Sequence, residues 1–350
     1  MKVWGDLPGD DPERDRRETE SELEAAGIDL HPPQPAERHH EPHGVPGHAH
    51  PHQQSGPTET PVIGIVGAGA VGTALGVALS RAGWPIHAVA SRDAARRERF
   101  RSLVEVSRAF VDPEPLVEEV ELVILAVPDD VVAPLAGSLR MYGGQAMIHT
   151  SGALGADALA PAMAAGTQIG SFHPLVSFAD TERAVAALHG ATIAIEGDDQ
   201  LAAMLANMAE AIGATPVRLA TGAKPAYHAA AVLAAGGVVA LLDAIAELGR
   251  VAGLDEAGSL TIYGRLIEGT LGNARALGIG AALTGPVTRG DVGTLRANLD
   301  AVRTYAPRAL DLYVAAARRE IELASNRGAV APEVAEALRI TLDDAVARAV

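Results

Sequence analysis

Lys224 and His228 are the residues of this sequence best suited to transferring a proton. They stand four positions apart in the segment Thr-Gly-Ala-Lys-Pro-Ala-Tyr-His, where Pro225 favours the first turn of a helix. Residues four apart on a helix share a face, and Tyr227 lies next to them. The positive end of the helix dipole tends to lower the pKa of a lysine at a helix N-terminus. We therefore predict that Lys224, assisted by His228, acts as a proton donor. The alternatives are an exposed charged residue at a helix start and a satisfied core histidine.

The scarcity of lysine draws attention to the same position. The chain contains 28 lysine and arginine residues, of which only Lys2 and Lys224 are lysines. Because Lys2 belongs to the N-terminal stretch, Lys224 is the one lysine of the predicted folded part.

A glycine-rich loop predicts a second kind of chemistry, the binding of a dinucleotide. The motif G-x-G-x-x-G stands between an apolar strand, residues 62–66, and a helix, residues 73–81, and it consists of Gly67, Ala68, Gly69, Ala70, Val71 and Gly72. A second strand at residues 86–90 completes a βαβ unit. The first glycine permits a tight turn, the second lets a phosphate approach the backbone, and the third allows the helix to pack closely on the strand. Because the N–H groups at a helix N-terminus attract anions, we expect a pyrophosphate there. A tight turn in another α/β fold is the alternative.

Ser91, Arg92 and Asp93 follow the second predicted strand, where a dinucleotide-binding fold meets the adenosine ribose. A carboxylate at this place binds the 2'-hydroxyl of NAD, whereas a hydroxyl and a guanidinium suit the 2'-phosphate of NADP. Ser91 and Arg92 therefore predict NADP as the cofactor. Asp93, one position later, keeps NAD as the alternative.

Loops at the ends of other predicted strands are expected to border the cofactor. Residues 122–127 form a continuous apolar run, which is typical of a strand buried on both faces of a parallel sheet. Ligands of open α/β sheets lie beyond the carboxyl ends of the strands. We therefore predict that Val127, Pro128 and Ser151 contact the cofactor.

Two histidines and one C-terminal segment are further candidates. His149 and His173 stand at the ends of two predicted strands, and each either lines the pocket beside the cofactor or is hydrogen-bonded structure. Residues 283–291 form a turn before a helix, with Asp291 placed as its N-cap. Three side chains of this turn, with its backbone N–H groups, are predicted to bind a carboxylate: Thr284, Thr288 and Arg289. A plain capping loop is the alternative.

The composition argues against several classes of protein. A net charge of -16 argues against a nucleic-acid partner or an anionic membrane surface, since either needs a basic face. The sequence contains no cysteine, which excludes disulfides, thiolate metal sites and cysteine nucleophiles. No apolar signal segment is found at the N-terminus, and the longest apolar run, residues 229–242, is shorter than a membrane span. We therefore predict a cytoplasmic protein without a membrane partner.

The chain divides into three predicted regions. Residues 1–60 are too polar to bury the apolar surface that folding requires, so we predict a disordered tail, in which a solvated role is favoured over metal binding for His31, His39, His40, His43, His48, His50 and His52. Residues 61–197 alternate between strands and helices and predict a Rossmann-type α/β domain with a parallel sheet. Residues 198–350 are almost entirely helical, and they predict an all-α domain that binds the substrate and forms a homodimer.

A central helix at residues 225–252 is expected to organise the all-α domain. Residues 229–242 are apolar nearly all round, which predicts burial inside the domain or at a subunit interface. Gly236 and Gly237 each reduce helix stability by roughly 1 kcal/mol. Close approach of another helix or of the ligand would be a reason to keep them.

Together these motifs resemble the Rossmann-like proteins that carry the helical domain of unknown function 2520, relatives of pyrroline-5-carboxylate reductase and ketopantoate reductase. The resemblance covers residues 61–350 and rests on the glycine loop and on the segments at residues 126–129, 151–152, 171–175, 224–228 and 283–291. In the wider superfamily of β-hydroxyacid dehydrogenases and ketopantoate reductases, a catalytic lysine is followed four positions later by an asparagine. Lys224 fits that lysine, but His228 stands in place of the asparagine. Gly236 stands where family members tend to have another asparagine.

The residues and the resemblance together predict an NADPH-dependent oxidoreductase that reduces a C=O or C=N bond of a small carboxylate. A 2-ketoacid such as 2-dehydropantoate is the first expectation, and a cyclic imine such as pyrroline carboxylate is the second. His173 and Tyr227 are expected to contact the substrate beside Lys224. A non-catalytic NADP-binding sensor is the rival from another class, and a prephenate-type dehydrogenase rests only on the His173–Pro174 pair.

Overall fold

The computed structural model of the protein describes residues 60–106, 108–178 and 181–347. They form an eight-stranded sheet with helices on both faces, followed by a helical region. This is the predicted fold class. Apart from Thr60, the predicted tail lies outside the described residues, and so do Lys2 and the seven histidines of that stretch.

The strands occupy short segments of the first two thirds of the chain. They are β1 Ile63–Val66, β2 Ile86–Ala90, β3 Arg108–Phe110, β4 Leu122–Leu125, β5 Ala146–His149, β6 Gln168–Pro174, β7 Thr192–Glu196 and β8 Thr215–Arg218. The helices of the same part are α1 Ala70–Arg81, α2 Ala94–Leu103, α3 Glu114–Val117, α4 Asp129–Ser138, α5 Thr181–Leu188 and α6 Asp199–Ala211, with a 3-10 segment at Ala156–Ala165.

The helical region follows β8. Its helices are α7 Lys224–Val232, α8 Val238–Val251, α9 Glu256–Leu277, α10 Ile279–Ala282, α11 Val292–Tyr305, α12 Leu310–Asn326 and α13 Pro332–Ala347. The chain divides into two compact units, one ending at Ala231 and one beginning at Val232. The second unit has its own core, formed by buried side chains that include Leu295, Leu299, Ile321, Leu338 and Leu342.

The strand order is β3-β2-β1-β4-β5-β6-β7-β8, and all neighbours are parallel except β6 and β7. The order reverses between β1 and β4, so the chain leaves these two strands in opposite directions along the sheet. In open α/β sheets a crevice for ligands lies at this switch point, beyond the carboxyl ends of the strands.

Both faces of the sheet are covered, which explains the apolar runs of the central strands. Neighbouring residues of a strand point to opposite faces. In β4, Ile124 packs in a cluster with Leu75 and Leu205, while Leu125 packs on the other face with Leu159. A parallel sheet with helices on both faces requires this pattern.

The edge strands differ most from the sequence prediction. The strand predicted at residues 106–110 is shorter, Arg108–Phe110, and β8 was not expected at all. In β8 only Val217 is buried, and Pro216 interrupts the apolar pattern. Proline is tolerated at a sheet edge, so an edge strand of this kind leaves little signal in the sequence.

The central helix runs from Lys224 to Val251 and is far more exposed than predicted. It consists of α7, a π-helical turn at Leu233–Gly237, and α8. Only 6% of its most apolar stretch is buried in the described part of the chain. The prediction of burial inside the helical domain is therefore wrong, and the subunit-interface alternative stays a prediction.

The length of this helix also corrects the prediction, made from residues 229–242 alone, that its apolar run is shorter than a membrane span. With 28 residues and a mean hydropathy of 2.1 in its most apolar stretch, the helix is long and apolar enough to cross a bilayer by length and composition. The unbroken run was too strict a measure, since a span needs only to be predominantly apolar. One such helix is weak evidence for a membrane span. Its first residue, Lys224, is buried against the strands of the first unit.

Candidate functional site

The glycine loop closes tightly against the loop that follows β4. Gly67 has a φ of 109°, a conformation that favours glycine, and a Cβ there would lie 2.1 Å from the carbonyl oxygen of Ala126. A Cβ on Gly72 would lie 2.0 Å from the carbonyl oxygen of Gly67. Neither glycine has room for a side chain, so the turn and the first turn of α1 need these two residues.

Gly69 differs from its neighbours because the space around it is open. A Cβ on Gly69 would meet no atom within 4 Å among the described residues, and its φ is -78°. Gly69 is the N-cap of α1, and the N–H groups of Ala70 and Val71 belong to the first helical turn, which has no partners inside a helix. Open space beside free N–H groups fits a pyrophosphate.

The end of β2 is rich in arginine. Asp93 caps α2: one of its oxygens accepts from the Arg96 N–H at 3.0 Å, and the other lies 3.4 Å from Arg96 Nε. The carboxylate that kept NAD as an alternative therefore has a structural role. Arg97 donates to the carbonyl oxygen of Ser91. Arg92 is exposed, and no described residue forms a hydrogen bond or ion pair with it. Its guanidinium is thus available to a phosphate.

Val127 and Pro128 lie beside the glycine loop. A Cβ on Gly67 would approach Val127 Cγ1 to 3.3 Å, and Pro128 is the N-cap residue of α4. The structure brings these two predicted cofactor contacts together with the loop.

Ser151 and His149 stabilise the loop that follows β5. The Ser151 hydroxyl accepts from the N–H groups of Ala153 and Leu154 at 3.1 and 3.0 Å. His149 is fully buried; its Nδ1 accepts from the Ser151 N–H at 3.2 Å, so its Nε2 donates to the Gly155 carbonyl at 2.9 Å. Burial lowers the pKa of His149. Of the two alternatives for His149, these hydrogen bonds favour a structural role. The contact of Ser151 with the cofactor stays a prediction.

The Lys224 ammonium is buried in a hydrogen-bonded triangle. Its side chain is 1% exposed, and Nζ donates to Ser171 Oγ at 2.6 Å and to Glu196 Oε2 at 3.2 Å. The Ser171 hydroxyl donates to the same carboxylate oxygen at 2.7 Å. The alternative of an exposed lysine at a helix start is therefore wrong.

Burial, rather than the helix dipole, is the main influence on this lysine. Desolvation lowers the pKa of Lys224 below its ordinary value of 10.5, while the negative charges of Glu196 and Asp129 act in the opposite direction. The predicted direction of the shift is thus found, but with a different principal cause.

The register of the sheet relates this lysine to the glycine loop. Val66, Leu125, His149 and Ser171 lie side by side on β1, β4, β5 and β6. Val66 precedes the glycine loop, so Ser171 lies level with that loop, three strand spacings or roughly 14 Å away. The partner of Lys224 therefore lies near the sheet edge where ligands of this architecture bind. Lys224 itself belongs to the sheet-containing unit.

A second cluster surrounds Gly152, in the loop that follows β5. It includes His228, which lies one helical turn beyond Lys224 on α7. A Cβ on Gly152 would lie 2.4 Å from His228 Nδ1 and 2.6 Å from His173 Nε2. The ring of His173 meets the rings of Tyr227 and His228 edge to face, with centroids 5.8 and 6.0 Å apart. His228 thus contacts His173, whereas Lys224 bonds to the strands.

Three atoms of this cluster are buried without a hydrogen-bond partner among the described residues: His173 Nδ1, His228 Nδ1 and the Tyr227 hydroxyl. Unpartnered buried polar atoms are uncommon in native proteins. The part of the chain that the structure describes contains no group of three or more His, Cys, Asp or Glu side chains placed to hold a metal ion. The three unpartnered atoms are therefore available to a ligand.

The protonation of the cluster limits what it can do. Burial and the positive charge of Lys224 lower the pKa of His173 to about 4, so this ring is neutral near pH 7. Burial raises the pKa of Tyr227, which keeps its phenolic proton. His173 and Tyr227 therefore offer hydrogen bonds, and neither carries a charge into the site.

The predicted carboxylate-binding residues lie in the second unit, in the turn before α11: Thr284, Thr288 and Arg289. The Thr288 hydroxyl donates to the Gly285 carbonyl at 2.9 Å. Asp291 caps α11 by accepting from the N–H and hydroxyl of Thr294 at 2.9 and 2.6 Å, so its predicted capping role is confirmed. Substrate binding by the three residues stays a prediction.

Glu196 and Ser171 are the members of the site that sequence reasoning missed. Both lie in strands of the sheet, and neither belongs to a motif that predicts proton transfer. A signal was nevertheless present, since a buried lysine requires a counter-charge and Glu196 is the carboxylate at the end of a buried strand. Lys224 and Glu196 are 28 positions apart, so their pairing can be predicted only when the order of the strands in the sheet is known.

Two family models match the chain: the first ends with β6, and the second begins just before β7. Residues 50–174 match a Rossmann-like domain, and residues 191–320 match a domain of unknown function, DUF2520. The chain therefore carries a Rossmann-like domain followed by a DUF2520 domain. A comparison with curated protein sequences finds no match.

Solved structures share the fold over most of the chain. Protein TM1727 from Thermotoga maritima is 26% identical, with a TM-score of 0.58 over 76% of this chain and 99% of that one. A putative NADP oxidoreductase, BF3122 from Bacteroides fragilis, is 24% identical, with a TM-score of 0.60 over 75% and 98%. An imine reductase from Pseudomonas sp. is 17% identical, with a TM-score of 0.59 over 82% and 99%.

Proposed function

We propose that this chain, in which a Rossmann-like domain precedes a DUF2520 domain, is an NADPH-dependent reductase of a C=N or C=O bond in a small carboxylate. The observation that carries the proposal is the Lys224 ammonium, buried near the ligand edge of the sheet in the same unit as the glycine loop. A buried ion pair contributes little net stability, whereas ionisable groups with perturbed pKa values are frequent in active sites.

The residues around the switch point fit NADPH. The open space at Gly69 would accommodate a pyrophosphate, and Ser91 and Arg92 would hold the 2'-phosphate. Val127 and Pro128 would border the bound cofactor. When bound, this cofactor supplies the hydride for the reduction.

Lys224 would supply the proton that completes the reduction. Among the described residues, Ser171 and Glu196 accept two of its three N–H groups, which leaves the third for the substrate. As the carbon of the C=N or C=O bond gains a hydride, the nitrogen or oxygen takes the proton of Lys224. The products are an amine or an alcohol.

The residues near Gly152 would orient the substrate. His173, His228 and Tyr227 each have a buried polar atom without a partner in the described part of the chain. Thr284, Thr288 and Arg289 belong to the second unit, and carboxylate binding by them stays a prediction from the sequence. This division of roles leaves proton transfer to Lys224, with His228 as its expected assistant.

Among substrates, we favour a cyclic imine carboxylate over the 2-ketoacid expected from the sequence. The solved structures that share this fold include an imine reductase and a 1-pyrroline-5-carboxylate reductase from Streptococcus pyogenes. Their names support C=N chemistry and give no support to 2-dehydropantoate.

A screen for turnover separates the reductase from the non-catalytic sensor. The full-length chain would be mixed with NADPH and a panel of cyclic imines, imine carboxylates and 2-ketoacids, and the loss of NADPH absorbance followed. We expect oxidation with an imine carboxylate. Tight NADPH binding without turnover across the whole panel would reject the reductase and favour the sensor.

Replacing Arg92 with Asp is expected to shift cofactor preference from NADPH toward NADH. A hydrogen bond to a charged group is worth about 1.5 to 3 kcal/mol, so the ratio of the two dissociation constants should change by roughly 10- to 100-fold. Titration of both cofactors measures it. Arg101→Asp, an exposed change on α2 away from the end of β2, is the control. An unaltered ratio of dissociation constants for Arg92→Asp would contradict the proposed contact between Arg92 and the 2'-phosphate.

We further propose that the second unit pairs with a second copy of the chain. Large exposed apolar side chains on the central helix and on α9 and α10 make up the proposed pairing face. They include Leu233, Val239, Leu266, Leu277 and Ile279. Exposed apolar patches of this kind mark interaction surfaces. Gly236 lies on the same helix, and no described atom lies within 4 Å of a Cβ built there, which leaves room for another helix.

The same helix is better suited to a second copy than to a bilayer. Ala244 and Leu248 pack on the core of the second unit, and Asp243, Glu247 and Arg250 would be costly inside a membrane. Symmetric dimers are the commonest assemblies of soluble chains.

Light scattering of the purified chain tests the dimer. We expect the mass of two chains for the wild type and of one chain for the double variant Leu233→Asp/Val239→Asp. Val111→Asp, at an exposed apolar residue outside this face, should leave the mass unchanged. A monomeric wild type, or one that sediments with lipid vesicles, would contradict the dimer.

A further inference from the structure

We infer that Glu196 and Ser171 are positioning residues, which hold the Lys224 amine in one place and keep it protonated inside the protein. Their importance for a reaction rests on the proposed function, whereas their effect on the lysine is independent of any substrate. Neither residue belongs to the glycine loop or to the cluster around Gly152.

The hydrogen bonds of the triangle have one direction. Lys224 donates to both partners, and Ser171 donates its only hydroxyl proton to Glu196 Oε2. This leaves the lone pairs of the serine oxygen toward the ammonium. A single carboxylate oxygen thus accepts from both other members, an arrangement that suits a charged lysine and an ionised glutamate.

The other groups that face Lys224 cannot replace the carboxylate. His149 on β5 and His173 on β6 add no negative charge, and their pKa values are lowered in part by the lysine itself. Asp129 on α4 acts electrostatically on Lys224, but the only salt bridge of Lys224 among the described residues is with Glu196. On its own helix, His228 adds no negative charge, and its ring lies edge to face against that of His173.

Glu196 is also better solvated than the lysine it serves. Its side chain is 11% exposed, compared with 1% for Lys224, and it lines a cavity of about 660 Å³ together with Asp157 and Arg218. The carboxylate therefore retains contact with water on one side while it compensates the ammonium on the other. Removing its charge should make a protonated amine unfavourable at this depth.

The small number of lysines allows a direct test. In a Lys2→Arg background, Lys224 is the single lysine of the chain, so ¹³C labelling of lysine gives one Cε signal whose shift reports the protonation of its amine. The pH titration would be recorded for this parent and for the parent carrying Glu196→Gln, Glu196→Asp, Ser171→Ala or Glu210→Gln. Glu210 is an exposed glutamate of the same unit and serves as the matched control.

We expect Glu196→Gln to lower the midpoint of the lysine titration by about 1 to 3 pH units, the usual effect of losing an adjacent opposite charge. Ser171→Ala should lower it by less. Glu196→Asp, which keeps the charge, should restore most of the shift, and Glu210→Gln should leave the midpoint where it is in the parent. Circular dichroism of each variant confirms that the fold is retained. An unchanged midpoint in folded Glu196→Gln would overturn the inference.

The kinetic readout separates this inference from the proposed function. If an imine is turned over, the alkaline limb of the kcat/KM profile should move to lower pH in Glu196→Gln by the shift seen for the amine. A lysine midpoint that responds while no substrate is turned over supports the positioning role and counts against the reductase. Turnover with a midpoint that ignores Glu196 supports the reductase and overturns the positioning role.

Discussion

Replacing Lys224 with Met is expected to reduce turnover by about 100- to 10,000-fold, the usual contribution of a general acid, while NADPH binding stays close to that of the wild type. Methionine has a similar length but no proton to give. Among the described residues Nζ bonds only to Ser171 and Glu196, and the glycine loop lies three strands away along the sheet. Steady-state rates with an imine carboxylate and a fluorescence titration of NADPH measure the two quantities.

Stability must be separated from chemistry in this variant, because the change leaves Glu196 without its counter-charge. Breaking a buried ion pair from one side typically costs about 3 to 5 kcal/mol of unfolding free energy. The double variant Lys224→Met/Glu196→Gln removes the unpaired charge, so its stability should recover while its turnover stays low. Turnover that recovers together with stability would show that Lys224 acts only as structure.

Replacing Gly69 with Ala is expected to weaken NADPH binding by on the order of 100-fold, the equivalent of about 3 kcal/mol. The added methyl would stand in the open space beside the N-terminus of α1, and it would keep a phosphate away from the N–H groups there. The fold should tolerate the change, since no described atom lies within 4 Å of this Cβ and φ is -78°. Titration calorimetry and the melting temperature report the two effects.

Two other glycines provide the controls. Gly72→Ala places a methyl 2.0 Å from the Gly67 carbonyl oxygen, so it should lower the melting temperature as well as the affinity for NADPH. Gly264→Ala lies in α9, again without a neighbour in the described part of the chain, and should leave NADPH binding unchanged. Normal NADPH affinity in Gly69→Ala would contradict a pyrophosphate at this turn.

Local patterns determined the glycine loop and the elements around it. The turn at Gly67 and the packing at Gly72 follow from contacts within a few residues of each other and with the next strand, and such contacts leave a motif in the sequence. The same holds for the cap of α11 by Asp291, which involves Thr294 only three positions later. The order of apolar and polar segments was likewise enough to predict a sheet domain followed by helices.

Tertiary structure alone decided the surroundings of Lys224 and the exposure of the central helix. Glu196 and Ser171 reach the lysine across 28 and 53 positions because β6 and β7 are neighbours in the sheet, and side-chain spacing within α7 carries no information about that pairing. An apolar helix has the same sequence signature whether its own domain or another chain covers it. The residue types therefore pointed to the lysine and to the cofactor loop, while the arrangement of the strands determined which carboxylate holds the lysine's charge.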